Sequence, residues 1–246
     1  MNGFKSRPHL FGMIAGFFLA AGLVWSAALG AAAWLKIKNS QFITVKGSAR
    51  KNILSDLVVW RGSFATQSPT LLEAQKKLKA DAAAVEKFLR DRSVTNFVFA
   101  PIEIVEIKAT LQSDGLTSEK IVGYRLSQEI RVESGDVDRI KQLDRDCTGL
   151  VEDGLLFTTE KPQFIYTKAN EAKIEMLAEA TRDARTRAEQ IAAQGGRIIA
   201  RLHDADMGVI QITPLYGSQT SWEGMNDTSS QDKTITAVIT ATFALK

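Results

Sequence analysis

The side chains with the most chemical potential are few. His203, Asp204 and Asp206 stand together in "HDAD", and a histidine beside carboxylates has the groups for proton transfer. No GxSxG, phosphate loop or HExxH accompanies them. Without a nucleophile or a neighbouring second histidine, a strand-end histidine near solvent is the simpler reading. The single cysteine, Cys147, excludes an internal disulfide. A redox sensor there would need a low pKa and exposure. Its place on an apolar stripe favours a buried structural thiol instead. Two histidines and one cysteine are too few for a His/Cys zinc centre. No catalytic, cofactor-binding or metal-binding residue is therefore assigned, and no cofactor. Trp222 and Met225 lie in a long polar loop and either contact a membrane or partner or belong to a loose surface segment.

Elements must position these groups, and the charge balance limits what the elements bind. Net charge is +3, and Lys5 and Arg7 precede any acid, which leaves 29 basic against 28 acidic residues. That near-neutral remainder lacks the concentrated basic face that nucleic acid requires. Leu10–Leu35 is 26 residues without a charge. As a helix it would run about 39 Å, enough to cross a bilayer core of about 30 Å with some tilt. A cleaved signal is the rival reading, with Ala31-Ala32-Ala33 as small residues for cleavage, but signal apolar regions usually span roughly 7–15 residues. Flanking charge does not fix the orientation: Lys36, Lys38, Lys46, Arg50 and Lys51 follow the span, yet long domains translocate largely regardless of such charges.

Beyond Gln41 strands and helices alternate. Phe42–Gly47 and Leu57–Thr66 read as strands. Ser68-Pro69 opens a helix in which Thr70 and Glu73 stand at capping-box spacing, with a stripe of Leu71, Ala74, Leu78, Val85 and Leu89. Asn96–Ala109 reads as a strand whose Pro101 suits an edge or bulge, followed by a polar loop, Thr110–Lys120. In Ile121–Ser134, Val122, Tyr124, Leu126, Ile130 and Val132 alternate with Arg125, Ser127, Glu129, Arg131 and Glu133, the pattern of an antiparallel sheet with one polar face. A helix from about Asp136 to Val151 lines up Val137, Ile140, Leu143, Cys147 and Leu150. After a short strand in Pro162–Lys168 comes a helix ending at Gly195-Gly196, its stripe expected at Ile174, Leu177, Ala178, Thr181, Ala184, Ala188, Ile191 and Ala192. Its four acids and three bases make a solvated face rather than a nucleic-acid reader. A strand near Arg197–Ile212 and the polar loop Tyr216–Lys233 precede a last strand, in which Ile235, Ala237, Ile239, Ala241 and Phe243 alternate with polar or branched neighbours. The order implies α+β: a mainly antiparallel sheet with helices packed on one face, preceded by one N-terminal transmembrane helix.

Three blocks carry a family resemblance: "ITVKGSARKNILSDLVVW", "YRLSQEIRVESGDVDRI" and "PQFIYTKANEAKIEMLAEATRDARTRAEQIAAQGG". In order and spacing they resemble the SIMPL-domain family over roughly Gln41–Lys246. The resemblance implies an exported bacterial domain, assembly into large hollow homo-oligomers, a link to oxidative-stress protection, and no established catalytic residues. The loop Tyr216–Lys233 is longer and more polar than the family pattern. The expected organisation is a basic tail 1–9, an anchor or signal at 10–35, and a SIMPL-like domain at 41–246. The function expected is a non-catalytic scaffold or assembly protein of the cell envelope. It would sit as a single-pass protein of the inner membrane with its domain in the periplasm, its partners being itself and, through 10–35, membrane lipid. An enzyme with an unrecognised site and a cytoplasm-facing signalling adaptor are the alternatives.

An uncleaved span predicts that the protein fractionates with membranes and resists alkaline carbonate extraction. A mature N-terminus near Trp34, found by sequencing, contradicts it.

Overall fold

The computed structural model describes residues 8–38, 41–113 and 116–246. Residues 1–7, which hold Lys5, Arg7 and most of the expected basic tail, and Asp114-Gly115 of the expected polar loop lie outside the described residues. Helix α1 (Pro8–Lys38) carries the apolar segment Gly12–Leu35, with a mean hydropathy of 1.9 and none of it buried against the rest of the chain. It is long and apolar enough to cross a membrane.

The remainder is α+β, with antiparallel pairing, as expected. The strands divide into two sheets rather than one. The four-stranded sheet has the order β1 (Phe42–Leu54), β10 (Asp232–Leu245), β8 (Ile199–Met207), with β9 (Gln211–Pro214) also on β10. The six-stranded sheet has the order β3 (Phe97–Phe99), β5 (Leu116–Ser134), β2 (Leu57–Ser68), β6 (Leu156–Thr159). In that sheet β4 (Glu103–Ser113) pairs with β5, and β7 (Gln163–Ile165) with β2. The helices are α2 (Leu71–Asp91), α3 (Val137–Asp146), α4 (Thr148–Glu152) and α5 (Ala169–Gln194). The chain forms two compact units, one from residues 1–48, 179–208 and 238–246, the other from 49–178 and 209–237.

In the second unit α2, α3 and α4 cover one face of the six-stranded sheet. The Thr70 hydroxyl accepts the Glu73 N–H at 3.3 Å and starts α2. Ala74, Leu78, Val85 and Leu89 are buried, whereas Leu71, in the first turn, is exposed. The stripe Val137, Ile140, Leu143, Cys147 and Leu150 is buried throughout, although α3 and α4 break at Cys147. These residues meet Trp60 and Phe64 of β2 and Leu126, Ile130 and Val132 of β5 in one core. Each large side chain there contributes about 1.5–3 kcal/mol by leaving water. Trp60, fully buried, keeps its indole N–H satisfied by donating to Asp144 Oδ1 at 2.9 Å.

Strand assignments need correction: β1 runs on past Gly47 to Leu54, β6 lies where no strand was expected, and the expected strand near Arg197–Ile212 divides into β8 and β9. The expected strand Asn96–Ala109 is interrupted at residues 100–102, because Pro101 has no N–H to give a ladder. The expected loop Thr110–Lys120 is mostly strand: β4 and β5 pair from Glu103↔Ser127 to Ser113↔Leu116 as one long hairpin. On the outer strand β4, Ile104 and Val105 are exposed; Val122, expected inward, and Ile121 are exposed too, for a different reason. The reason lies in β2, which ends at Ser68 opposite Tyr124. Toward the hairpin tip only β4 pairs with β5, so no core forms there.

In the first unit the final strand alternates as expected, with Ile239, Ala241 and Phe243 buried; so do Ile235 and Ala237 in the second unit. The buried side of α5 is rotated from the expected stripe. It repeats every fourth residue, as Ala180, Ala184, Ala188 and Ala192 in this unit and Ala172 and Met176 in the other. Ile174, Ala178, Thr181 and Ile191 are exposed. Alanine is the reason the helix takes this side: only methyl groups let its axis come close to β1. A Cβ on Gly47 would lie 2.1 Å from Ala180 O and 2.6 Å from Ala184 Cβ. The Ser48 N–H donates to Asp183 Oδ2 at 2.8 Å and fixes the approach. At the other end Arg197 N–H donates to Ala192 O and Gly196 N–H to Ala193 O, with Gly196 at φ +68°, a Schellman stop.

Gly47→Ala should therefore lower stability by about 3 kcal/mol, roughly 5–10 °C in thermal midpoint. Differential scanning calorimetry checks it, and an unchanged midpoint would show that the helix can move away at no cost.

Candidate functional site

His203, Asp204 and Asp206 lie on β8 and are all exposed. Asp204 and Asp206 stand opposite Thr242 and Thr240. His203 is the extra residue where the register slips between Thr242 and Phe243, and its ring stacks 4.4 Å from that of Phe42. The three share a solvent face and line neither of the cavities described below. Among the described residues no three His, Cys, Asp or Glu side chains are placed to hold a metal ion.

Cys147 is 5% exposed, and its thiol donates to Leu143 O at 3.1 Å. Burial, helped by the nearby Asp144 carboxylate, pushes its pKa up to about 12. It is a buried neutral thiol, the opposite of what a redox sensor needs. Trp222 is 97% exposed at the surface of its loop. That loop is not loose, however. Gln211 donates from Nε2 to Ser221 O at 2.7 Å and accepts the Met225 N–H at 2.8 Å, and Ile212 N–H donates to Met225 O at 2.7 Å.

Sequence patterning did not single out Lys233 and Asp227. Lys233, placed in the expected loop, is instead part of β10 and only 1% exposed, with Nζ donating to Phe164 O at 2.6 Å. Burial pulls its pKa down, and the Asp227 carboxylate offsets this only in part. Burial works to raise the pKa of Asp227. Hydrogen bonds from Ser229 Oγ, Ser229 N–H and Ser230 N–H, with the charge of Lys233, outweigh it and hold the carboxyl below its usual range. The pair ties the loop to β7, because Phe164 N–H also donates to Thr228 O at 2.8 Å. A neighbouring cavity of about 590 Å³ is lined by Lys141, Phe164, Tyr216, Gln231 and Asp232, among others. Lys141 Nζ bonds Gln231 Oε1 and lies over the Phe164 ring. Lys233 falls on the inward side of the β10 alternation, two residues before Ile235, and its Nζ reaches Phe164 O of β7 there.

Charged residues of several strands meet on the outer face of the six-stranded sheet. Cross-strand register sets Arg61 opposite Arg131, Ser63 opposite Glu129, and Val98 opposite Arg131 on the other side. Two like charges in register are held by the acids between them. Arg131 bonds Glu133 at 2.5 Å, and Arg61 reaches Glu129 at 3.6 Å and Glu160 at 3.7 Å. These half-exposed pairs each contribute about 0–1 kcal/mol and leave donors and acceptors facing outward. A shallow depression of about 320 Å³, lined by Asn96, Val98, Ala100, Glu129, Arg131 and Glu133, sits at the centre. Arg125 continues the face toward the hairpin, opposite Val105. The alternation of β5 had located this face, though not the contributions of Arg61 on β2, Val98 on β3 and Glu160 just after β6.

A family model described as SIMPL, "Protein of unknown function (DUF541)", matches residues 43–243. No curated protein matches the sequence.

The state of Cys147 is open to direct test. It should react slowly with a thiol reagent in the native protein and rapidly in denaturant, and Cys147→Ala should cost about 1–2 kcal/mol through lost packing. Rapid native labelling with unchanged stability would overturn the structural assignment.

Proposed function

Because the chain belongs to the SIMPL family, we propose that it is a membrane-anchored, exported, non-catalytic scaffold that assembles with copies of itself into a ring-like or hollow homo-oligomer. The observation that carries this is the outer face of the six-stranded sheet. The helices of its unit cover the opposite face, and this one presents Arg125, Glu129 and Arg131 to solvent, with Arg61 and Glu133 half-buried beside them in ion pairs. Acids and bases interleaved on one face suit a complementary patch on an identical subunit, and head-to-tail contacts close into rings when the rotation permits. The apolar helix α1 supports anchoring. Anchored subunits share a plane, which raises their effective concentration without any new contact. The placement of the domain in the periplasm, and a role in envelope or oxidative stress, follow from the family resemblance alone. Loss of activity against a substrate is not expected on mutating any single residue, since the surface binds rather than reacts.

Mass photometry of the purified full-length protein should show a multiple of the monomer mass at micromolar concentration. Charge reversal at Arg125 and Arg131 together should shift the distribution toward smaller species. A single monomeric species in detergent would defeat the assembly reading. Assemblies indifferent to the reversal would move the contact off this face.

A further inference from the structure

A second surface has the character of a contact. Strand β8 ends the four-stranded sheet, pairs among the described residues with β10 alone, and is exposed from Ala200 to Met207. An open edge of this length is a template for another strand, which proteins restrain with proline, bulges or charge; β8 carries register shifts against β10 at Thr242/Phe243 and Ala244/Leu245 and the charges Arg201, Asp204 and Asp206. Proline is absent from β8. Its charges, Arg201, Asp204 and Asp206, form no ion pair within the described residues.

The register shows what strand the edge fits. On β10, Ile239, Ala241 and Phe243 are buried on one face, and Thr240, Thr242 and Ala244 occupy the other. Asp206, Asp204 and Arg201 stand opposite Thr240, Thr242 and Ala244, so they share the second face; Met207, Ala205 and Leu202 share the first. His203, the extra residue, lies on the face of Asp204. Its ring meets Phe42, and Thr44, two residues beyond Phe42, bonds Thr242 Oγ1 at 2.9 Å. In a regular strand, antiparallel pairing about a two-fold axis brings together only residues an even number apart. The extra residue removes that restriction. An axis between His203 and Asp204 then sets Arg201 opposite Asp206, Leu202 opposite Ala205, and His203 opposite Asp204, with faces matched at each position.

We infer that β8 pairs antiparallel with β8 of a second copy of this chain, joining two four-stranded sheets edge to edge through reciprocal Arg201–Asp206 contacts. The occupant is a second copy because the strand is complementary in charge to itself in this register, each pair occurring twice. The inference rests on the self-assembly proposed above and adds to it a two-fold contact on a different surface.

Cysteine cross-linking of the full-length protein in detergent tests the register. A mixture of Arg201→Cys and Asp206→Cys proteins should give a covalent dimer on mild oxidation. Either protein alone should not, because each cysteine then lies roughly 15 Å from its own mate. Arg201→Asp should weaken the dimer contact roughly tenfold, and Arg201→Asp with Asp206→Arg should restore it. Equal cross-linking by the single proteins, none by the mixture, or no rescue by the double reversal would overturn the inference. If larger species persist by mass photometry while the cross-link fails, only this contact is wrong. If the unmodified protein is monomeric, both this contact and the assembly reading fall.

Discussion

In the first unit the structure depends on one close approach, that of α5 to β1 at Gly47. Ala180 and Ala184 bring the helix so near that even a methyl group on Gly47 would overlap a helix carbonyl. Such proximity maximises dispersion contact and excludes water from a helix that offers only methyl groups. It also dictates rotation. The helix must turn its four-residue alanine ladder inward, and Ile191 is left in solvent as a result. The Ser48–Asp183 bond holds that rotation, and the Ser48 N–H, with the Arg187 guanidinium after it, holds the Asp183 carboxyl below its usual range.

The second unit solves a different problem. Its core is made of large side chains, Trp60, Phe64, Leu78, Leu89, Ile130 and Ile140, packed between helices and one sheet face. Burying that face fixes the strand alternation, and alternation then forces the charged residues of β5 and β2 onto the opposite face. The outward polar face is thus a consequence of the core. The like-charged Arg61 and Arg131 in register are tolerated because Glu129, Glu133 and Glu160 surround them. Where β2 stops, the same sheet loses its core, and the β4–β5 hairpin continues with apolar residues in solvent.

Much of this was legible in the sequence where local pattern and tertiary environment agree. The α3–α4 stripe, the capped start of α2, the glycine stop of α5 and the alternation of β10 all followed from spacing. The hairpin did not, although Asp114-Gly115 is a strong two-residue turn signal, because the residues around it are polar and no core marks them as strand. The rotation of α5 was hidden because isoleucine outweighs alanine in any hydrophobic pattern, while the close approach at Gly47 selects for size. Lys233 was hidden because a charged residue at the start of an apolar run reads as loop, and the carbonyl that accepts from its ammonium, Phe164 O, is 69 residues away in sequence. Of the chemistry-bearing residues, the sequence located Cys147 as buried and His203 as solvent-side, though His203 stands in the middle of β8 and not at a strand end. It could not show that His203 marks a slip in the β8 register.

We propose that the surfaces this chain leaves open are met by copies of itself. Cryo-electron microscopy of the full-length protein in detergent or nanodiscs reads those surfaces directly. The account predicts closed particles in which Arg125, Glu129 and Arg131 of one subunit lie against a neighbouring subunit. Particles holding a single copy, or closed particles in which that sheet face borders only solvent, would contradict it.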